Sequence, residues 1–140
     1  RGIKTLHVRM QRHCENAAAI AHFLKQHSKI EKVYWPGFEE HPNHGVAKAQ
    51  MNDYGGMLSF VTKGGDYNAA IKIIENLKLF TLAESLGGVE SLAGHPASMT
   101  HASIPKKLRE KSGVVDSLIR LSVGIEDVRD LIEDLKQAVG

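Results

Sequence analysis

Polar side chains that could bind a ligand are concentrated between Phe80 and Ser103, in a stretch that is otherwise apolar. The stretch holds two glutamates, three glycines and two histidines, together with several serines. Structural loops tend to be polar throughout, whereas core strands tend to be apolar. A mixture of apolar anchors, small residues and isolated polar groups is typical of a preformed ligand pocket. We therefore expect this stretch to line a binding pocket.

Arg120 is the residue with the clearest chemical potential. Strand alternation puts Ile119 and Leu121 on one face of a predicted strand. Arg120 and Ser122 then lie on the other face. The arginine could simply be solvated there, or its guanidinium could bind a carboxylate through paired donors held in one plane. The alternation of side chains along the strand is compatible with both of these roles for Arg120.

Other residues of the polar stretch have structural interpretations. Gly87 and Gly88 are too short a run for a phosphate-binding loop, and we expect them to let the backbone turn close to the site. His95 and His101 lack the spacing of a metal site with a third ligand, so both are interpreted as structural and no metal is expected. Glu90 is predicted to be a structural carboxylate with its hydrogen bonds satisfied.

The periodicity of apolar residues predicts the scaffold. Helices are expected at 6–24, 43–50, 67–77, 105–111 and 126–139, and strands at 30–35, 57–62, around 81, and at 118–123. This order predicts an α+β domain with a mostly antiparallel or mixed sheet covered by helices. Residues 1–27 are expected to form a long helix of the interdomain type, and 28–140 an α+β sandwich.

Three helices have a predicted inward stripe. In the first it consists of Leu6, Met10, Cys14, Ala17, Ala18, Ala21 and Leu24. The helix at 67–77, with Asp66 as its N-cap, should bury Ala70, Ile71, Ile74 and Leu77. The last helix should bury Val128, Leu131, Ile132 and Leu135.

Length and composition limit the class of protein. A chain of 140 residues fits one domain with a real core. Its charged residues are scattered, which argues against nucleic acid as a partner, and no apolar run is long enough to span a membrane. The single cysteine, Cys14, favours a reducing, cytoplasmic setting. Because the chain begins at Arg1 and not at methionine, we expect it to be part of a longer protein.

Three motifs resemble a known family. The chain is similar to the C-terminal domain of the Cys/Met metabolism family, the pyridoxal-phosphate-dependent trans-sulfuration enzymes, of the cystathionine γ-synthase and γ-lyase type. The motifs are Thr81-Leu-Ala-Glu-Ser-Leu-Gly-Gly-Val-Glu-Ser-Leu92, Met99-Thr-His-Ala-Ser103 and Leu118-Ile-Arg-Leu-Ser-Val-Gly-Ile-Glu-Asp127. The resemblance covers essentially the whole chain. It implies the small domain of a fold-type I enzyme, with the large domain absent from this chain.

The resemblance also implies roles for four residues. Arg120 matches the arginine that pairs with the substrate's α-carboxylate, and Ser85 matches a serine that helps to hold it. Thr100 matches a threonine on the substrate side of the pocket. Glu84 matches a glutamate typical of γ-synthases and γ-lyases, where it could select a distal ammonium group; a surface or capping carboxylate is the alternative.

The resemblance implies that catalysis needs residues outside this chain. The family's cofactor lysine lies in the large domain, so Ser59-Phe-Val-Thr-Lys63, although similar to the pattern around that lysine, is interpreted as a strand. Pyridoxal phosphate is therefore expected in the parent enzyme, not tightly bound to this chain, which should be inactive alone. The parent is expected to be a homotetramer.

The reaction class stays open at this point. Glu84 favours a γ-synthase or γ-lyase acting on cystathionine, activated homoserine or cysteine. The alternatives are a cystathionine β-lyase or methionine γ-lyase of the same family, a non-catalytic amino-acid-binding module, and a purely structural interaction domain.

Overall fold

The computed structural model describes all 140 residues as five α-helices and one sheet of five strands. A single 3₁₀ turn, Gly2–Thr5, precedes the first helix. The helices are α1 (Leu6–Gln26), α2 (His44–Gln50), α3 (Tyr67–Asn76), α4 (Lys106–Lys111) and α5 (Val128–Val139). The strands are β1 (Ile30–Tyr34), β2 (Met57–Thr62), β3 (Thr81–Leu82), β4 (Leu92–Gly94) and β5 (Leu118–Ser122).

The sheet has the strand order β1-β2-β5-β4-β3. All its pairs are antiparallel except β3 with β4, which run parallel. The predicted α+β class and mostly antiparallel sheet are therefore confirmed. The prediction missed β4, which has only three residues and lies within the stretch of mixed composition.

One face of the sheet supplies the core. Ile119 and Leu121 of β5 and Phe60 of β2 are completely buried. They pack against apolar side chains of α1 and α5, among them Ile20 and Leu131. Because side chains alternate across a strand, the same strands present polar residues on their opposite face.

The inward stripe of α1 begins later than predicted. Ala17, Ala21 and Leu24 are fully buried, but Leu6 and Met10 are 41% and 38% exposed. The helix contacts β1, β2 and α5, and the buried residues begin only at position 13. Its first turns therefore present apolar side chains to solvent. No helix of the protein is long and apolar enough to cross a bilayer.

The stripes of the other two helices are largely as predicted. Asp66 caps α3 by accepting a hydrogen bond from the Ala69 amide at 3.0 Å. Ile73 is buried where Ile71 was expected, since Ile71 lies only partly buried. In α5, Leu131 and Leu135 are buried as predicted, whereas Val128 and Ile132 are only partly buried. The buried set also includes Asp134.

Asp134 connects α5 to the segment that leads into β3. Its carboxylate oxygens accept hydrogen bonds from the backbone amides of Lys78 (2.8 Å), Leu79 (2.8 Å) and Phe80 (3.1 Å). Gln137 donates a further hydrogen bond at 3.0 Å. Burial alone would raise the pKa of Asp134, but these hydrogen bonds outweigh it and hold the pKa below its ordinary value. The charged carboxylate therefore stabilises the fold.

Asp134→Asn should lower the free energy of unfolding by about 1–3 kcal/mol at neutral pH, because an amide NH₂ would face backbone donors. The lowered pKa means that the stabilisation is complete above the carboxyl pKa of the unfolded chain, about 4, and is lost as the pH falls through that range. Urea unfolding between pH 7 and pH 3 should therefore give a flatter acid dependence for this variant than for the unmodified chain.

Glu133→Gln is the matched control for Asp134→Asn, since it removes a charge from an exposed position of the same helix. The ion pair between Glu133 and Lys136 lies at the surface, so it should contribute little to the free energy of unfolding. Equal losses of stability in the two variants would contradict the role given to Asp134.

Candidate functional site

Arg120 lies in the middle of β5 on the face opposite the core. Across the sheet it is paired with Ser59 of β2 on one side and Gly94 of β4 on the other. Its side chain is half-buried, and Nη2 donates hydrogen bonds to the carbonyl oxygens of Glu84 (2.8 Å) and Ser85 (3.3 Å). These contacts fix the guanidinium and leave its remaining N–H donors available to a ligand.

A small pocket surrounds the guanidinium. It is lined by Ala83, Glu84, Gly94, His95, Pro96, Met99, Thr100 and Arg120. Three of the four predicted site residues, Arg120, Glu84 and Thr100, therefore lie together. Ser85 does not line the pocket but contacts Arg120 through its carbonyl oxygen, which positions the guanidinium; a direct contact of its hydroxyl with a ligand stays a prediction.

Gly94 is a site residue that the sequence reasoning missed. A Cβ at this position would lie 3.1 Å from the Ala83 carbonyl oxygen and 3.6 Å from Nη2 of Arg120. The absent side chain lets the guanidinium cross β4 to reach the loop after β3. A glycine within a strand often marks such a close approach of backbone or ligand, but here the strand itself was not predicted.

The loop after β3 is held at a second point beside the site. Gly87 adopts a φ of 78°, a conformation that favours glycine, and its amide donates to the Ser122 hydroxyl at 2.8 Å. The prediction that the glycine pair lets the backbone turn near the site is confirmed. Arg120 and Ser122, adjacent on one face of β5, thus hold the same loop.

His95 fixes the far side of the pocket. It is 1% exposed, and its Nε2 lies 2.7 Å from the Asp116 carbonyl oxygen. A carbonyl can only accept, so Nε2 carries the proton and Nδ1 accepts from the Ser98 hydroxyl at 2.8 Å. The Tyr67 ring and the imidazole pack nearly perpendicular to each other, with 5.0 Å between their centroids. The structural interpretation of His95 is confirmed.

A partly buried ion pair supports the segment that His95 contacts. The side chain of Arg109 is 7% exposed and donates to the Asp116 carboxylate at 2.6 Å and to the Val114 carbonyl at 3.0 Å. Lys106 also pairs with this carboxylate. Hydrogen bonds from Lys106 and Arg109 hold the pKa of Asp116 below its ordinary value. No local sequence signal pointed to this cluster.

His101 lies at the pocket edge, where its Nδ1 is 2.8 Å from the Thr100 hydroxyl. Thr100 itself is exposed and His101 partly so. This contact can orient the hydroxyl of Thr100, a residue that lines the pocket. It is consistent with the structural role predicted for His101.

The prediction for Glu90 was wrong. Glu90 is exposed, and the structural carboxylate of this region belongs to Glu126. Glu126 accepts hydrogen bonds from the amide (2.6 Å) and hydroxyl (2.8 Å) of Ser91, and the Ser91 hydroxyl oxygen accepts from the Gly124 amide at 2.8 Å. Glu90 lies beside this network in sequence but turns back over Gly88. The correct partner comes from a distant part of the chain.

The pocket places one cation next to one carboxylate. Its lining contains one permanent cation, Arg120, beside the exposed Glu84, and includes no amine or thiol. Lys63, which ends the segment similar to the cofactor-lysine pattern, lines a different concavity with Lys29 and Lys72. The lining of the pocket thus contains no amine to which a cofactor aldehyde could be attached. No group of three His, Cys, Asp or Glu side chains is placed to hold a metal ion.

The chain matches known proteins along its full length. The model of the family described as Cys/Met metabolism PLP-dependent enzyme matches residues 1–140. The chain is 56% identical over 139 residues to a cystathionine β-lyase of Coxiella burnetii, covering 99% of this chain and 36% of the relative. It is 55% identical to a cystathionine γ-lyase of Dictyostelium discoideum and 53% identical to an L-methionine γ-lyase of Fusobacterium nucleatum subsp. polymorphum, which it covers to 36% and 35%.

The chain thus spans just over a third of the length of these curated relatives. The match over all 140 residues agrees with the motifs around Glu84, Thr100 and Arg120 that suggested the same family. The chain belongs to the Cys/Met metabolism family of PLP-dependent enzymes.

Proposed function

We propose that this chain is the C-terminal, substrate-carboxylate-binding domain of a pyridoxal-phosphate-dependent enzyme that breaks or forms carbon–sulfur bonds in sulfur amino acids. The observation that carries the proposal is the half-buried guanidinium of Arg120, held by the carbonyls of Glu84 and Ser85 with donors left over. The homologous cystathionine and methionine lyases support the substrate class.

The geometry around Arg120 suits an amino-acid carboxylate. A guanidinium offers paired donors in a plane that matches the two carboxylate oxygens. Because Nη2 is already tied to two carbonyls, little side-chain entropy is lost when a ligand binds. Thr100 also lines the pocket. Together these residues would bind the carboxylate and fix the orientation of the α-carbon.

The cofactor is assigned to the parent and not to this chain. When bound, pyridoxal phosphate supplies the electron sink for reactions at the carbons of an amino acid. The pocket lining includes no lysine, and Lys63 faces elsewhere. We therefore place the lysine that holds the cofactor in the part of the parent outside these residues. In this chain Arg120 binds and orients the substrate, and the turn at 95–100 closes one side of its pocket.

Among the family's reactions we favour the γ class, that is, a cystathionine γ-synthase or γ-lyase. Glu84 supports this choice, because its exposed carboxylate adjoins the pocket and suits the distal ammonium group of a substrate such as cystathionine. Sequence identity does not discriminate, since β-lyases at 56% and γ-lyases at 55% match equally well. Cystathionine β-lyase and methionine γ-lyase remain the second candidates.

Arg120→Ala in the full-length parent should lower kcat/KM by roughly 10- to 100-fold, mostly through KM, since a charge-assisted contact contributes about 1.5–3 kcal/mol in ground and transition states alike. The kcat/KM of Arg120→Lys should lie between those of the unmodified enzyme and of Arg120→Ala, because lysine keeps the positive charge but lacks the planar guanidinium. Steady-state kinetics with cystathionine measure the effect. An unchanged KM in both variants would refute the carboxylate-binding role.

Gly94→Ala tests whether the loop that holds Arg120 must lie so close to β4. The added Cβ would press on the Ala83 carbonyl at 3.1 Å, so the loop has to shift and KM should rise several-fold. Gly45→Ala is the control, since a Cβ there meets nothing within 4 Å. The same KM for both variants would show that the loop tolerates displacement.

The 140-residue chain alone should not turn over cystathionine, because its pocket lacks the amine that the family's cofactor chemistry needs. The measurement is spectroscopic titration with pyridoxal phosphate followed by an assay for the keto-acid product. Product formation by the purified chain would contradict the proposal that the cofactor-binding lysine lies outside these 140 residues.

A further inference from the structure

Three lysines line one concavity at the end of β2, which we call the lysine concavity. Lys29 immediately precedes β1, Lys63 follows β2, and Lys72 lies on α3. The amide of Lys63 donates a hydrogen bond to the Lys29 carbonyl oxygen at 2.8 Å, so these two residues are neighbours across the β1–β2 pair. The concavity has an empty volume of about 910 Å³, part of it open to solvent. It therefore has room for a small molecule.

The charge of the lysine concavity is not balanced within the protein. Its lining includes no acidic residue, and none of the three ammonium groups lies within ion-pair distance of a carboxylate. Asp66, the acidic residue nearest to Lys63 in sequence, is the N-cap of α3. Like charges that share a concavity repel one another. A bound anion would relieve this repulsion.

The ammonium groups also keep most of their hydrogen-bond donors. Nζ of Lys29 donates to the Val139 carbonyl oxygen at 3.2 Å, which leaves two of its three N–H groups. Lys63 and Lys72 make no side-chain hydrogen bond, unlike the lysines that pair elsewhere on the surface. These donors are available to a ligand.

Thr62 adds a buried hydroxyl to the wall of the lysine concavity. The residue is 7% exposed, and its Oγ1 has no hydrogen-bond partner in the protein. A Cβ at position 65 would overlap this oxygen, so only the glycine found there is compatible with the hydroxyl. Buried hydroxyls are nearly always hydrogen-bonded, and an unpartnered one is costly. A ligand oxygen in the concavity would supply the missing partner.

The floor of the lysine concavity is apolar. Ile73 of α3 and Ala138 and Val139 of α5 line it and are buried. All three lysines are exposed, so the cations surround the apolar floor at its rim. Ligand pockets commonly combine an apolar lining with a few polar groups. This arrangement suits a molecule with an anionic head and an apolar body.

The cations suit a phosphate group better than a carboxylate. A lysine ammonium is a compact charge with three donors on a flexible stem, whereas the planar fork of an arginine matches the two oxygens of a carboxylate. A phosphate monoester carries about 1.5 to 2 negative charges at neutral pH. Three ammonium groups can balance that charge.

We propose that the lysine concavity binds a small phosphate monoester. The phosphate lies against Lys63, Lys72 and the Thr62 hydroxyl, and Lys29 adds its charge from the side of β1. The apolar body of the ester covers Ile73 on the floor.

The lysine concavity and the Arg120 pocket lie on opposite faces of the sheet. Thr62 follows Phe60 by two residues in β2 and therefore shares the core face of the strand. Arg120 lies on the other face, opposite Ser59 of the same strand. The inference therefore does not depend on the reaction proposed for the enzyme.

Isothermal titration calorimetry of the cofactor-loaded, full-length parent with phenyl phosphate tests the site. We expect one saturable binding event per chain. Inorganic phosphate should bind about tenfold more weakly, because it has no apolar part to cover the floor. The absence of saturable binding would overturn the proposal, and equal affinities for the two probes would show a site for the free ion and not for an ester.

Substitution of the lysines tests where the phosphate binds. Lys63→Gln and Lys72→Gln should each weaken the binding of phenyl phosphate by about three- to tenfold, since each removes a charge-assisted contact at a partly solvated rim. Lys48→Gln is the matched control, because it removes the same charge from an exposed position of α2 outside the concavity. Equal weakening in all three variants would reveal an effect of net charge alone and refute the site.

Thr62→Val tests the hydroxyl without changing the shape of the side chain. Because Oγ1 has no partner in the protein, the melting temperature of the unliganded parent should not fall. The affinity for phenyl phosphate should fall about fivefold. An unchanged affinity would contradict the contact with Thr62.

Arg120→Ala separates this site from the carboxylate pocket. The variant should bind phenyl phosphate as tightly as the unmodified parent, although its KM for cystathionine should rise. Loss of phenyl phosphate binding in Arg120→Ala would place the anion beside Arg120 and overturn the proposal.

Discussion

The structure depends on the alternation of side chains along β5. This strand lies at the centre of the sheet, between β2 and β4. Its apolar residues, Ile119 and Leu121, are completely buried in the core. That burial fixes the register of the strand, since a slip by one residue would put Arg120 into the core and these side chains outside. The hydrophobic effect on one face therefore positions the guanidinium on the other.

The position of the guanidinium then determines the loop after β3. Arg120 binds the carbonyls of Glu84 and Ser85, and Ser122 binds the amide of Gly87. Two residues of one strand face thus hold three residues of the loop, although β3 itself has only two residues. A loop with so little regular structure owes its conformation to these contacts. The pocket around Arg120 is therefore shaped by the same contacts that order this loop.

Local patterns in the sequence were enough to predict most helices and strands, and the face of β5 on which Arg120 lies. This is because burial on one side of a strand or helix requires apolar residues at regular spacing in the sequence. They could not reveal β4, which has three residues and no alternation to detect. They also assigned the structural carboxylate to Glu90 when the partner is Glu126, since only the tertiary fold brings Glu126 to Ser91. Asp134 escaped prediction for the same reason, as its backbone partners lie more than fifty residues away.

The first helix shows why an apolar stripe does not by itself reveal what covers it. Polar contacts anchor α1 to the end of β5: His13 contacts the Val123 carbonyl, and Asn16 donates to the carbonyls of Gly124 (3.0 Å) and Glu126 (2.9 Å). These bonds fix the direction of a helix that extends about 30 Å at 1.5 Å per residue. The buried residues of α1 begin at His13, so the same anchor that buries the rest of the helix leaves its first third exposed. A few polar contacts that fix the direction of the helix thus decide which of its apolar side chains the sheet covers.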